Sequence, residues 1–111
     1  MQVEVRFRGV TPSGALRDHA FGQARFHLAR FGESVAAVVV RVSDENGPKG
    51  GVDKRCHVVV RGPAIGSVSL AVEHEDAYAA VDAACSKVAR IVGRELARLS
   101  EGRVGELEGA S

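Results

Sequence analysis

The segment QVEVRFRGVTPSGALRDHA, residues 2–20, changes its hydrophobic period halfway along. QVEVRFR alternates strictly, with Val3, Val5 and Phe7 on one side and Glu4, Arg6 and Arg8 on the other, the pattern of a half-buried strand over residues 2–8. Thr11-Pro12 then reads as a helix start, because a threonine oxygen can accept from an orphan helix N–H and proline has none to lose at the first helical position. Beyond it Leu16, Ala20, Ala24, Leu28 and Phe31 recur at helical spacing and predict a first helix reaching about Phe31. Gly22 weakens that helix by about 1 kcal/mol relative to alanine, and Gly32 is placed to end it.

The remaining elements follow outward from this strand and helix. AAVVVRV, residues 36–42, is rich in β-branched residues and predicts a second strand. RCHVVVR at 55–61 and SVSLAV at 67–72 alternate on either side of the Gly62-Pro63 break and predict strands three and four. From Glu75 to about Leu99, Ala77, Val81, Ala84, Val88, Val92 and Leu99 form one stripe, with Glu75 and Asp76 at the positive helix end. SEGRVGELEGAS, residues 100–111, predicts a loose, flexible tail after a domain of residues 1–99. The order is β-α-β-β-β-α, an α+β domain. Its four-stranded mixed sheet has strands one and two parallel if adjacent and two helices packed on one face. The opposite face would carry Glu4, Arg6, Arg8, Arg41, His57, Arg61 and Ser69 as an exposed sheet surface.

A chain of 111 residues suits one such domain without metal or disulfide staples. Its 15 Lys plus Arg against 14 Asp plus Glu leave no net charge that would announce a nucleic-acid binder, so only clustering of the cations can make that case. The two cysteines, Cys56 and Cys85, lack any C-x-x-C companion, which argues against a zinc site and a secreted disulfide scaffold. Neither a secretion signal nor an apolar run of about 18 residues or more is present, so cytoplasmic placement is the expectation. DENGPKGGVDKRC, residues 44–56, has glycines near a lysine but not the G-x-x-x-x-G-K-[ST] register, and the run after it is a strand, which excludes a phosphate-binding P-loop.

The chemistry-bearing residues are mostly cations. On the second helix Lys87, Arg90, Arg94 and Arg98 are spaced by three, four and four, so they line one edge beside the apolar stripe, with the single intervening acid, Glu95, expected to project elsewhere. Such a ridge is either a solvated polar face or a row of phosphate contacts, for which positive charge at backbone spacing suffices. Arg25 and Arg30 extend it if the helices lie side by side, and Lys49, Lys54 and Arg55 offer a second basic point in the 44–56 loop. His19, His27, His57 and His74 show neither H-x-x-x-H nor H-E-x-x-H spacing, and Cys56-His57 sends its side chains to opposite strand faces. Asp82 has no acid-base partner that the sequence can name, and Tyr78 reads as a ring beside the core. No metal, cofactor or catalysis is expected.

TPSGALRDH near the start and EHEDAYAAVDAACSKVARIVGREL near the end resemble the ribosome hibernation-promoting factors, also called ribosome-associated inhibitor or subunit-interface proteins. The resemblance covers residues 1 to about 99, and its most specific element is E-D-x-Y-x-A-[IV]-D, here Glu75, Asp76, Tyr78, Ala80, Val81 and Asp82. It implies a fold similar to double-stranded RNA-binding domains and a factor in the channel of the small ribosomal subunit between head and body, blocking messenger and transfer RNA on idle ribosomes. Lys87, Arg90 and Arg94 match the family's basic positions on helix two, and Arg17 stands in its A-L-R motif. The family's usual lysines on helix one are replaced by QARFHLARF, with only Arg25 and Arg30 and with Phe26 outside the apolar stripe, and the 44–56 loop is more elaborate than usual. The likeness is to the short form, expected to be a monomer.

The loop is then expected to be a β-hairpin connection shaped by Asn46, Gly47 and Pro48, with Lys49, Lys54 and Arg55 gripping RNA or ribosomal protein. The alternative is a fixed turn whose Asp44 and Asp53 neutralise those cations internally. For the whole chain the alternative is a protein-interaction or regulatory module that keeps the fold without the ribosome.

Overall fold

The computed structural model describes residues 1–45 and 53–110, with side chains described through Glu101. Strands β1 (Gln2–Arg8), β2 (Ala37–Asp44), β3 (Lys54–Gly62) and β4 (Gly66–His74) form one sheet in the order β1-β2-β3-β4. β1 and β2 are parallel, and the other two pairs are antiparallel. Helix α1 (Gly14–Leu28) makes the crossover between the parallel strands, and α2 (Ala77–Ala110) follows β4. The parallel pair needs that crossover, whereas β3 and β4 need only the three residues from Pro63 to Ile65, closed by Gly66 at φ 68.

Both helices lie on one face, α1 against β1 and α2 against β3 and β4, and they touch each other. The alternation read from the strands selects the buried layer: Val5, Val38, Val40, Val42, Cys56, Val58 and Val60 point into it, and the helices close it with Leu16, Ala20, Ala24, Leu28, Val81, Ala84, Val88 and Val92. Small alanines at the helix contacts let the two helices lie close over a valine-lined sheet. The opposite sheet face carries charged and polar side chains together with the Val39–Val59 pair.

Three boundaries differ from the sequence-based expectation. The cap of α1 is Ser13, in an extended conformation at φ −130 and ψ 134, whose hydroxyl accepts from the Leu16 N–H at 2.9 Å. Serine is the stronger cap, and starting there sets Leu16, Ala20, Ala24 and Leu28 four apart on the buried side. The α-helix stops at Leu28 rather than Phe31 and tightens into a 3-10 segment, Ala29–Ser34, that contains Gly32 at φ 55 and ψ −131. At the other end α2 runs to Ala110 where a loose tail was expected from residue 100. Arg, Val, Glu and Leu separate the glycines of that stretch, and adding turns to an existing helix carries no nucleation cost.

Candidate nucleic-acid interface

The rotation of α2 is fixed by what it buries. Val81, Ala84, Cys85, Val88, Ala89 and Val92 are all within 2% of complete burial, so at 100° per residue Lys87, Arg90 and Arg94 emerge on the side turned away from the sheet. All three are exposed, and among the described residues none of them forms an ion pair or a side-chain hydrogen bond. A rigid helix therefore carries three charged heads at one-turn spacing with their donors directed to solvent. Arg98 is different: its Nε donates to Glu95 Oε2 at 3.3 Å and its Nη2 also bonds Oε1. This corrects the expectation that Glu95 projects elsewhere, since the i,i+3 spacing brings the two side chains together on one helix surface. The hydrogen bond from Arg98 holds the Glu95 carboxyl below its ordinary range, and the reciprocal bond raises the Arg98 guanidinium.

The cations of the first helix do not simply continue this ridge. Arg17 donates from Nη1 to the Val5 carbonyl at 3.2 Å and lays its guanidinium 5.2 Å from the Phe7 ring centroid, which ties it to β1. Arg25 lies on that same flank, lining a shallow groove with Met1, Val3 and Glu4. Arg30 sits in the 3-10 segment over the Phe31 ring at 4.6 Å, and its Nη2 would be 3.8 Å from a Cβ on Gly93. Gly93 is three residues from Arg90 and adjacent to Arg94, so Arg30 joins the α2 ridge and Arg25 does not.

The loop cations divide as well. Lys54 Nζ donates to Asp44 Oδ2 at 3.0 Å and to Asp53 Oδ1 at 3.1 Å, closing the mouth of the β2–β3 connection where Asp44 pairs with Lys54 in register. Hydrogen bonding to Asp44, then to Asp53, raises the Lys54 ammonium above its ordinary pKa. With Asp53 only 1% exposed, Lys54 serves as its internal counter-ion, the arrangement named above as the alternative for this loop. Arg55 is half-buried and turns onto the open sheet face, with its Nε buried and without an acceptor. Lys49 lies outside the described residues.

A pair that the sequence does not connect joins the helices: His19 Nε2 and Asp82 Oδ1 are 2.5 Å apart, 63 positions distant in the chain, with the Tyr78 ring 5.1 Å from the imidazole. Asp82 thus has a partner, and it is a bond between helices. Cys56 and Cys85 are buried thiols in the core, both pushed up to about 12 chiefly by desolvation, which leaves them poor nucleophiles. Phe26, expected outside the apolar stripe, is 77% exposed. Among the described residues no group of three or more His, Cys, Asp or Glu side chains is placed to hold a metal ion, and no helix is long and apolar enough to cross a membrane.

Residues 3–100 match the family model described as Sigma 54 modulation protein / S30EA ribosomal protein. No curated protein matches the sequence. Among solved structures, a ribosomal subunit interface protein from Coxiella burnetii superposes with a TM-score of 0.73 at 18% identity, over 87% of this chain and 99% of that one. The Protein Y N-terminal domain from Thermus thermophilus superposes with a TM-score of 0.68 at 23% identity, over 85% of this chain and 98% of that one. Both share the fold described above.

Proposed function

The chain belongs to the Sigma 54 modulation protein / S30EA ribosomal protein family, and from that membership we propose that it is a ribosome-associated hibernation factor of the cytoplasm. It holds the rRNA of the small subunit and occupies the channel that messenger and transfer RNA would use. The observation that carries this reading is the outward, unpaired set Lys87, Arg90 and Arg94 on a helix whose rotation the core fixes. Phosphate contacts need positive charge at regular spacing and no base recognition, and a preformed helix loses little entropy in supplying them. Inhibition then needs only occupancy: a folded domain in the channel excludes other ligands sterically, with no reaction to catalyse.

The test is co-sedimentation with small ribosomal subunits across a salt series. Three phosphate contacts contribute roughly 0.9 each to the slope of log affinity against log salt, about 40-fold between 50 and 200 mM. The K87E/R90E/R94E variant is expected to fold normally, lose at least that much affinity at low salt and show a flatter salt dependence. Binding that persists unchanged in this variant would overturn the proposal.

A further inference from the structure

The side of the molecule opposite α2 is also cationic, and the sheet register shows how. Arg6 of β1 pairs with Arg41 of β2, which pairs with His57 of β3, and one step along the strands Arg8 pairs with Ser43 and Ser43 with Arg55. All of these side chains stand on the open face, because Val5, Phe7, Val40, Val42, Cys56 and Val58 take the helix face in the alternation. Arg8, Arg41, Arg55 and His57 line a half-open cleft of about 480 Å³ together with Ser43, Asp44 and Glu45.

The carboxylates around this cleft are largely committed to other groups. Asp44 is held by Lys54, Glu45 accepts from the Ser43 hydroxyl at 3.1 Å, and Glu4 is bonded to Arg6 at 2.7 Å. Glu73, opposite Arg55 in register on β4, forms no ion pair with it. Arg41 acts on Glu4 only through space. The Arg55 Nε, buried and lacking an acceptor, is a donor without a partner beside the cleft.

We infer that this face is a second RNA-backbone site, so that the protein bridges two RNA surfaces, one on the α2 ridge and one on the sheet. The inference rests on the rRNA-binding reading and extends it from one contact face to two. Guanidinium groups one strand or one diagonal step apart, about 5 to 8 Å, present forked donors to successive phosphates. Few apolar side chains interrupt them, and arginine's fixed fork suits a phosphate better than it suits water. Across its long axis the backbone extends only 23 by 16 Å, so RNA walls facing each other can be reached at once.

The experiment uses two short RNA duplexes, one immobilised on beads and one fluorescent, with the full chain as the only link. Wild-type protein is expected to retain the fluorescent duplex. R8A/R41A is expected to bind the beads yet recruit little of the second duplex, with its salt slope on a single duplex lowered by about 2. Adding Arg55→Ala is expected to lower the slope by about one more, and circular dichroism confirms that each variant folds. Undiminished recruitment or an unchanged slope in R8A/R41A would overturn the inference. So would intact binding to naked RNA with lost binding to small subunits, which would assign the face to a ribosomal protein. Failure of the helix reading is separate, since it is registered by K87E/R90E/R94E on small subunits while the sheet variants are read on naked RNA.

Discussion

Gly22 and Gly62 illustrate how far a residue's role depends on neighbours that are distant in sequence. A Cβ added at Gly22 would meet nothing within 4 Å, so Gly22→Ala removes a helix-weakening residue at no steric cost and is expected to stabilise by about 1 kcal/mol. At Gly62 the same carbon would lie 1.9 Å from the Ser34 carbonyl oxygen, where Ala36 N–H donates to the Arg61 carbonyl at 2.8 Å and holds the backbones together. Gly62→Ala must push the end of β3 away from the 3-10 segment and is expected to cost about 1 to 3 kcal/mol. Urea midpoints of the two variants should move in opposite directions. Composition alone marks Gly62-Pro63 as a break, which is correct, but the close approach to a residue 28 positions earlier has no sequence signal. The cations behave similarly: alternation places Arg8, Arg41 and His57 on the open face, whereas grouping Arg55 with the loop hides that it joins them across β2.

At the scale of elements, the motif that carries the family likeness builds the start of α2. Asp76 Oδ1 accepts from the Tyr78 N–H at 3.0 Å, the Asp76 carbonyl accepts from Ala80 N–H at 3.0 Å, and His74 Nδ1 accepts from Asp76 N–H at 3.0 Å. Ala80 and Val81 are fully buried, and Tyr78 and Asp82 both meet His19 on α1. The segment thus sets where α2 begins and how it sits on α1, which in turn aims Lys87, Arg90 and Arg94. Asp76→Ala is expected to lower stability by about 1 kcal/mol, a fall in Tm of roughly 4 to 8 °C by thermal scan. Below that Tm the salt slope for small subunits should match the wild type, because no phosphate contact has been removed. The stripe and the start of α2 were readable because burial imposes a period on the sequence. The Arg98–Glu95 pair and the turns beyond Leu99 were not, since rotamer choice and helix extension leave no periodic trace.

For the whole molecule, a net charge of +1 conceals two cationic faces separated by an uncharged core, and the integrity of that core can be read through its thiols. Cys56 comes from β3 and Cys85 from α2, so both are sealed where the helix layer meets the sheet, and exposing them requires the layers to part. Desolvation raises each from 9.0 to about 12, with the Cys85 charge adding to Cys56 and the Asp82 charge to Cys85. Below pH 9 both thiols are protonated whether the chain is folded or not, and their contribution to stability is fully present. As pH rises from 9 towards 12 the unfolded chain releases these protons first, so it binds fewer than the native state and stability falls. Lys54 acts at higher pH, because its contribution is fully present below its ordinary value of 10.5 and is lost from there as pH rises through its raised folded pKa. Between pH 8 and pH 10 the unfolding free energy from urea titration is therefore expected to drop by about 1 kcal/mol per thiol. In C56A/C85A that drop should be largely absent even though the smaller side chains lower stability at every pH. An equal decline in wild type and variant would mean that the thiols are already open to water and that the two layers are not sealed as described.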